Sequence, residues 1–220
     1  MREFHQRLAQ IGLQAVEQYG FVLAGGYALS ANGIGERPSM DVDLFTDNVD
    51  QELFSQAVDA VIGAFQDNGL TVSVLVRGRL FLNLDVGDPA AGDVSQIQLG
   101  WDFREFPPTR LQLGPVLHRR DAVANKMTAL FSRGEVRDFI DIDTVVESGA
   151  FTRREVLALA DTREALPLDR EMLAERFKML AGQDPEDFEV YGVDEVRRQG
   201  MVTRFTQWAQ EIEDLRTAGS

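Results

Sequence analysis

The sequence has no cysteine. Disulfides, thiolate metal centres and a cysteine nucleophile are therefore excluded. It has no apolar run near the roughly 18 residues of a membrane-crossing helix. Its opening stretch, MREFHQRLAQIGLQAVEQYG, carries charges throughout and lacks the apolar segment of a secretory signal. The expectation is a chain with no membrane span, at work in the cytoplasm. Positive charge is also scarce: 22 Lys and Arg face 36 Asp and Glu, a net charge of −14. A surface that acidic repels nucleic acid unless cations are gathered locally. Repeats and low-complexity tracts are absent as well. The 220 residues, 44% of them hydrophobic, suffice for a proper core in one large domain or one and a half average ones.

Periodicity divides the chain in two. Phe4, Leu8, Ile11 and Ala15 have helical spacing. FVLAGG is a strand running into a turn, YALSANG a short helical stretch and SMDVDLF an alternating strand. VDQELFSQAVDAVIGAFQDNG is a helix closed by Asn68 and Gly69. LTVSVLV, RLFLNLDV and VSQIQLGW are three further strands, the first two joined by a turn at Arg77 and Gly78. Pro107 and Pro108 break the pattern, and from Pro115 onward the spacing predicts helices. PVLHRRDAVANKMTALFSRG reads as one and EVRDFIDIDTVVESG as the next. TRREVLALADT and DREMLAERFKMLAG follow, capped by Thr152 and Asp169. QDPEDFEVYGVD reads as irregular, and a last helix is expected near 201–216. The fold class predicted is α+β: a mixed sheet with flanking helices over 1–112, then an all-helical half over 113–220.

The chemistry-bearing stretch is RPSMDVDLF. Residues i and i+2 of a strand point to one side, roughly 6.5–7 Å apart, so Asp41 and Asp43 share a face. Two readings stay open. The pair is the wet face of an edge strand, or it is a pair of ligands whose repulsion a hard cation such as Mg²⁺ neutralises. Gly25 and Gly26, upstream at a strand end, are either a tight turn or a place where backbone approaches a phosphate. Strand, Gly-Gly, helix, turn and a strand with D-x-D together describe a triphosphate and its metals at one sheet edge. This resembles the core motif of the nucleotidyltransferase superfamily with a polymerase-β-like fold.

The helical half narrows the resemblance. GGYALSANGIGERPSMDVDLF and DAVANKMTALFSRGEVRDFIDID are similar to the GG…R-x-S-x-D-x-D-L and K-x-x-A-L-x-x-R-x-x-x-R-D-x-x-D blocks of the AbiEii/AbiGii toxin family, which includes the MenT-like toxins. The blocks span about 20–46 and 121–143; the last third, about 150–220, carries no recognised functional motif. The resemblance implies a magnesium-dependent nucleotidyltransferase, with two metals and an NTP as substrate. It also implies the tRNA 3′ end as acceptor and a cognate antitoxin as partner. Alternatives are a small-molecule or protein acceptor, or an NTP-binding regulator without catalysis.

On that resemblance Asp41 and Asp43 are metal ligands, and Gly25 and Gly26 receive the triphosphate. Arg37 contacts phosphate, and Ser39 is the residue whose phosphorylation silences some relatives; the plainer reading of both is an ordinary turn around Pro38. Lys126, in an otherwise apolar helix, either snorkels or reaches the triphosphate or acceptor. Asp138 and Asp141 support catalysis, or with Arg137 form a structural network that orients Lys126. Relatives often place an acid near Gln98, and glutamine cannot deprotonate a hydroxyl. Asp102 is the candidate substitute, with Asp85 beside it. Basic residues gather at 104–137: Arg104, Arg110, Arg119, Arg120, Lys126, Arg133 and Arg137. Convergence of these on the D-x-D would favour tRNA; scatter would favour a small acceptor. His5 and His118 have no metal-ligand company and read as surface or core residues.

Overall fold

Along Asp41–Thr46, half-buried and buried residues alternate strictly, the mark of a strand with one face in a core and one face open. In the computed structural model, which describes residues 1–163 and 166–218, this strand is central to a seven-stranded mixed sheet. The strands are β1 (Val22–Leu23), β2 (Asp41–Thr46), β3 (Thr71–Arg77), β4 (Phe81–Asp88), β5 (Asp93–Trp101), β6 (Thr109–Leu111) and β7 (Gly114–Val116), in the order β3-β4-β5-β2-β1-β7-β6. β3, β4 and β5 form an antiparallel meander. β5 runs parallel to β2, and β2 antiparallel to β1.

Two helices cover the apolar face: α1 (Glu3–Val16) and α3 (Gln51–Asp67). Val42, Leu44, Leu82, Leu84, Ile97 and Leu99 meet Leu8, Leu13, Phe54, Val58, Val61 and Phe65 there, all of them buried. α1 lies close on β2 because Gly12 has no side chain; a Cβ at that position would stand 2.8 Å from Leu44 Cδ1. Asp50 caps α3 by accepting from Glu52 and Leu53 N–H. The short α2 (Gly25–Ala31) follows β1.

Two features were not legible in the periodicity. Pro115 does not open a helix: Gly114–Val116 is a strand paired parallel to β1 at Leu23, with β6 beyond it. α4 (Arg119–Ser132) starts four residues later than expected. Three-residue strands are too short to alternate visibly, and docking on β1 rather than local pattern makes them. QDPEDFEVYGVD is also not wholly irregular, since α8 (Pro185–Glu189) forms with Pro185 in its first turn and Asp184 as cap.

The chain divides into two compact units, Met1–Ala122 and Val123–Ser220. In the second, α5 (Val136–Glu147), α6 (Arg153–Asp161), α7 (Arg170–Lys178) and α9 (Glu195–Ala218) pack around Phe139, Phe177, Phe205 and Trp208. Thr152 and Asp169 cap α6 and α7 as expected, Thr152 in a full capping box with Glu155. Among the described residues, no helix is long and apolar enough to cross a membrane.

Candidate active site

The antiparallel pairing of β1 with β2 decides what stands beside the aspartates. Val22 pairs with Phe45 and Leu23 with Leu44. The Ala24 N–H donates to the Asp43 carbonyl at 2.8 Å. The next residue, Gly25, thus arrives at the Asp43 side chain. Its φ is +59°, and a Cβ there would lie 1.7 Å from Asp43 Oδ2. Only glycine permits both the left-handed backbone and the carboxylate's position. Gly26 comes next; a Cβ on it would lie 3.0 Å from an Arg37 guanidinium nitrogen and 3.0 Å from Ser39 Oγ. Arg37 donates to the Pro38 carbonyl at 2.8 Å, and the Ser39 hydroxyl donates to Asp41 Oδ1 at 3.1 Å. Gly25, Gly26, Arg37, Ser39, Asp41 and Asp43 thus gather at one end of β2.

The open face of the sheet continues from this point. Across the register, Asp41 is level with Gln96 and then Asp85, and Asp43 with Gln98 and then Asn83. Neighbours in register point to the same side, so the face reads carboxylate, amide, carboxylate in one row and carboxylate, amide, amide in the next. Asn83 Oδ1 is buried without a hydrogen-bond partner. Asp85 is two strand spacings from Asp41, roughly 10 Å between backbones. Asp102 is elsewhere. It follows β5, with its N–H on the Thr46 carbonyl at the far end of β2, roughly 13 Å along the strand from the level of Asp43.

Of the basic residues at 104–120, Arg104 is engaged by Asp47 and the Gly20 carbonyl, also at the far end of β2. Arg110 is paired with Glu17. Arg120 lies over the Phe106 ring at 4.7 Å, and His118 stacks on the same ring at 4.9 Å.

In the helical unit, α5 buries three carboxylates, each facing a cation. Asp141 pairs with Lys126 at 2.9 Å, the two side chains 5% and 10% exposed. Asp138, fully buried, accepts two bonds from Arg133 at 2.8 Å each. Asp143 accepts two from Arg204 at 2.7 and 2.8 Å, and this pairing raises the Arg204 pKa. Arg137 pairs with Glu135 at 2.7 Å. Arg133, not Arg137, is therefore the bidentate partner of Asp138. The turn at Gly134 (φ +63°) separates Arg133 from α5 and lets it fold back onto Asp138. His5, read from the sequence as a surface or core residue, is a core residue, 3% exposed; its hydrogen-bonding role was not foreseen. It falls on the buried stripe of α1 with Leu8, Ala9 and Gly12, and that spacing was the available signal for a buried role.

Two carboxylates on a central strand, with a glycine pair at the end of the adjoining strand, define a nucleotidyltransferase-type fold. The chain belongs to the nucleotidyl transferase AbiEii toxin family of type IV toxin–antitoxin systems, whose family model matches residues 8–196. Solved structures agree on the fold. MenT4, a nucleotidyltransferase toxin from Mycobacterium tuberculosis, has a TM-score of 0.61 at 19% identity, over 96% of this chain and 90% of that one. JHP933 from Helicobacter pylori has a TM-score of 0.56 at 17% identity, over 98% and 94%. No curated protein matches the sequence.

The donor set suits a hard divalent cation. Asp41 and Asp43 offer two carboxylates on one face, and the missing Cβ of Gly25 leaves room for the second. Among the described residues no group of three or more His, Asp or Glu is assembled as a metal cage. Two carboxylates alone fit Mg²⁺, which keeps several waters and takes its remaining ligands from substrate phosphates.

Proposed function

We propose that this protein transfers a nucleotidyl group from an NTP to the 3′-terminal hydroxyl of an RNA, with tRNA as the acceptor, as the toxin of a toxin–antitoxin pair. The observation that carries this reading is the seating of the Asp43 carboxylate against Gly25, two residues from Asp41 on the same face. Asp41 and Asp43 would hold Mg²⁺, which supplies charge neutralisation and alignment of the attacking and leaving oxygens. Gly25 and Gly26 leave space for the triphosphate, and Arg37 supplies a guanidinium beside them. The acceptor oxygen bonds to the α-phosphorus, the bond to the β-phosphate oxygen breaks, and pyrophosphate leaves with that electron pair. The hydroxyl's proton passes to a carboxylate on the open face. Asp85 is in register there, and Asp102 is the other candidate. Lys126 is proposed as a cation for the nucleotide on the family resemblance, and within its own unit it is paired with Asp141; Asp138 fixes Arg133 and the turn into α5.

A second reading has two observations in its favour. Arg104 and Arg110 are already engaged by carboxylates, and the net charge is −14, which favours a small hydroxylated acceptor over RNA. One experiment separates the two. The protein is incubated with each labelled NTP, Mg²⁺ and total tRNA, with Asp41→Ala as control. Label on the tRNA of the wild type and none with the variant is the expected result. Label only on a small acceptor supports the second reading, and undiminished transfer by Asp41→Ala overturns both.

A further inference from the structure

The buried polar groups behind the proposed site form one connected chain. His5 on α1 is 3% exposed. Its Nδ1 is 2.5 Å from Tyr27 Oη and its Nε2 is 2.8 Å from Ser95 Oγ. The Tyr27 hydroxyl reaches the carbonyl of Ser39 at 3.3 Å, and the Ser95 hydroxyl reaches that of Met40 at 3.4 Å. Both branches from the imidazole thus end on consecutive carbonyls immediately before Asp41. The Ser39 hydroxyl then donates to the Asp41 carboxylate.

We propose that His5, acting through Tyr27 and Ser95, is a positioning residue that sets the Ser39–Met40 backbone and so aims Asp41 before metal and nucleotide bind. The inference rests on Asp41 and Asp43 being metal ligands. The two aspartates need different support. Asp43 lies within β2 and is confined by Gly25. Asp41 is the first residue of the strand, and residues 32–40 ahead of it contain no helix or strand. Gly33 and Gly35 in that segment adopt positive φ. Asp41 is in register with Gln96 of β5, but β1 pairs only further along β2, at Leu44 and Phe45, so without further anchors the backbone leading into Asp41 would share the freedom of the loop. The His5 chain supplies two, from α1 and from β5 by way of Ser95.

Proton counting shows how the chain is built. Four hydrogen bonds link the two carbonyls through the imidazole. A neutral imidazole, a phenol and a serine hydroxyl supply one proton each, so three of the four can be filled at once. Burial lowers the His5 pKa and raises that of Tyr27, keeping both neutral near pH 7. The tautomer decides which carbonyl receives a hydroxyl proton: Nδ1–H leaves the tyrosine proton for Ser39, and Nε2–H leaves the serine proton for Met40. An apolar set of similar size would fill the same volume without the cost of burying polar groups. The polar set buys orientation.

The test measures Mn²⁺ affinity by electron paramagnetic resonance on the full chain, alongside kcat, the KM for NTP and the metal-free unfolding midpoint. Asp43→Asn serves as the site control. Tyr27→Phe is expected to weaken Mn²⁺ binding about tenfold and to lower kcat with little change in KM. Ser95→Ala acts in the same direction and stands in if Tyr27→Phe does not fold. His5→Gln, which keeps one donor and one acceptor, should retain more affinity than His5→Leu. If Asp43→Asn loses Mn²⁺ while Tyr27→Phe and Ser95→Ala keep wild-type affinity, this inference alone falls. If Asp43→Asn binds Mn²⁺ like the wild type, the metal-ligand assignment falls and takes this inference with it.

Discussion

Gly25→Ala is the sharpest perturbation available. The added Cβ would stand 1.7 Å from Asp43 Oδ2, where ordinary contact begins at 3.4 Å. The carboxylate, or the backbone opposite, has to withdraw by roughly 1.7 Å, given the close packing of protein interiors. The left-handed backbone adds about 1–2 kcal/mol of strain for a residue with a Cβ. That strain is a minor part of the 5–15 kcal/mol typical of a folded protein, so the variant folds. Misplacing a reacting group by about 1 Å costs on the order of 100-fold in rate, and transfer should fall at least that far. Gly26→Ala is the comparison within the proposed triphosphate seat. Its Cβ would meet Arg37 and Ser39 side-chain tips at 3.0 Å, and those tips can swing aside, so its effect should fall on the KM for NTP. At saturating NTP its loss in rate should be much smaller. The assay is label transfer at saturating NTP and acceptor, with circular dichroism and thermal unfolding to certify the fold. Near wild-type transfer by a folded Gly25→Ala, or equal losses in the two variants, would refute the placement of Asp43 at the reacting centre.

Three further outcomes are expected. Lys126→Met should cost about 3–5 kcal/mol, because it strips the cation from a buried carboxylate. The double variant Lys126→Met/Asp141→Leu should regain much of that in urea denaturation without regaining transfer; recovery of transfer would make the pair structural only. Asp85→Asn should lower kcat by 100-fold or more, as loss of a general base does. Asp102→Asn, about 13 Å along the strand, should do little, and the reverse ranking would move the base to Asp102. His5 sets a pH dependence of stability. Burial and the nearby Arg2 and α-amino charges lower its pKa from the ordinary 6.5, against Asp41 and Asp93. As pH falls through about 6.5 the unfolded chain takes up the proton first. Stability therefore declines on acidification until the lower folded-state pKa is passed. Urea midpoints at pH 7.5 and 5.5 should converge toward those of His5→Gln at the acid end; a wild-type advantage that holds at both pH values would contradict it.

The sequence by itself determined the local terms. Period-two alternation in MDVDLF placed Asp41 and Asp43 on one face, and Thr152 and Asp169 declared two helix starts, because pleat and cap chemistry act over two to four residues. The order of the two motif blocks was enough to indicate the family. What only the tertiary structure decided came from pairing between distant segments. β1 runs antiparallel to β2, so Gly25 meets Asp43; the β2-β5-β4 register sets Asp85, not Asp102, level with Asp41. The turn at Gly134 gives Asp138 to Arg133. His5, Tyr27 and Ser95 lie 22 and 90 positions apart from the histidine onward. No local pattern can announce such a hydrogen-bond chain, since its members are joined only when a helix packs onto a sheet.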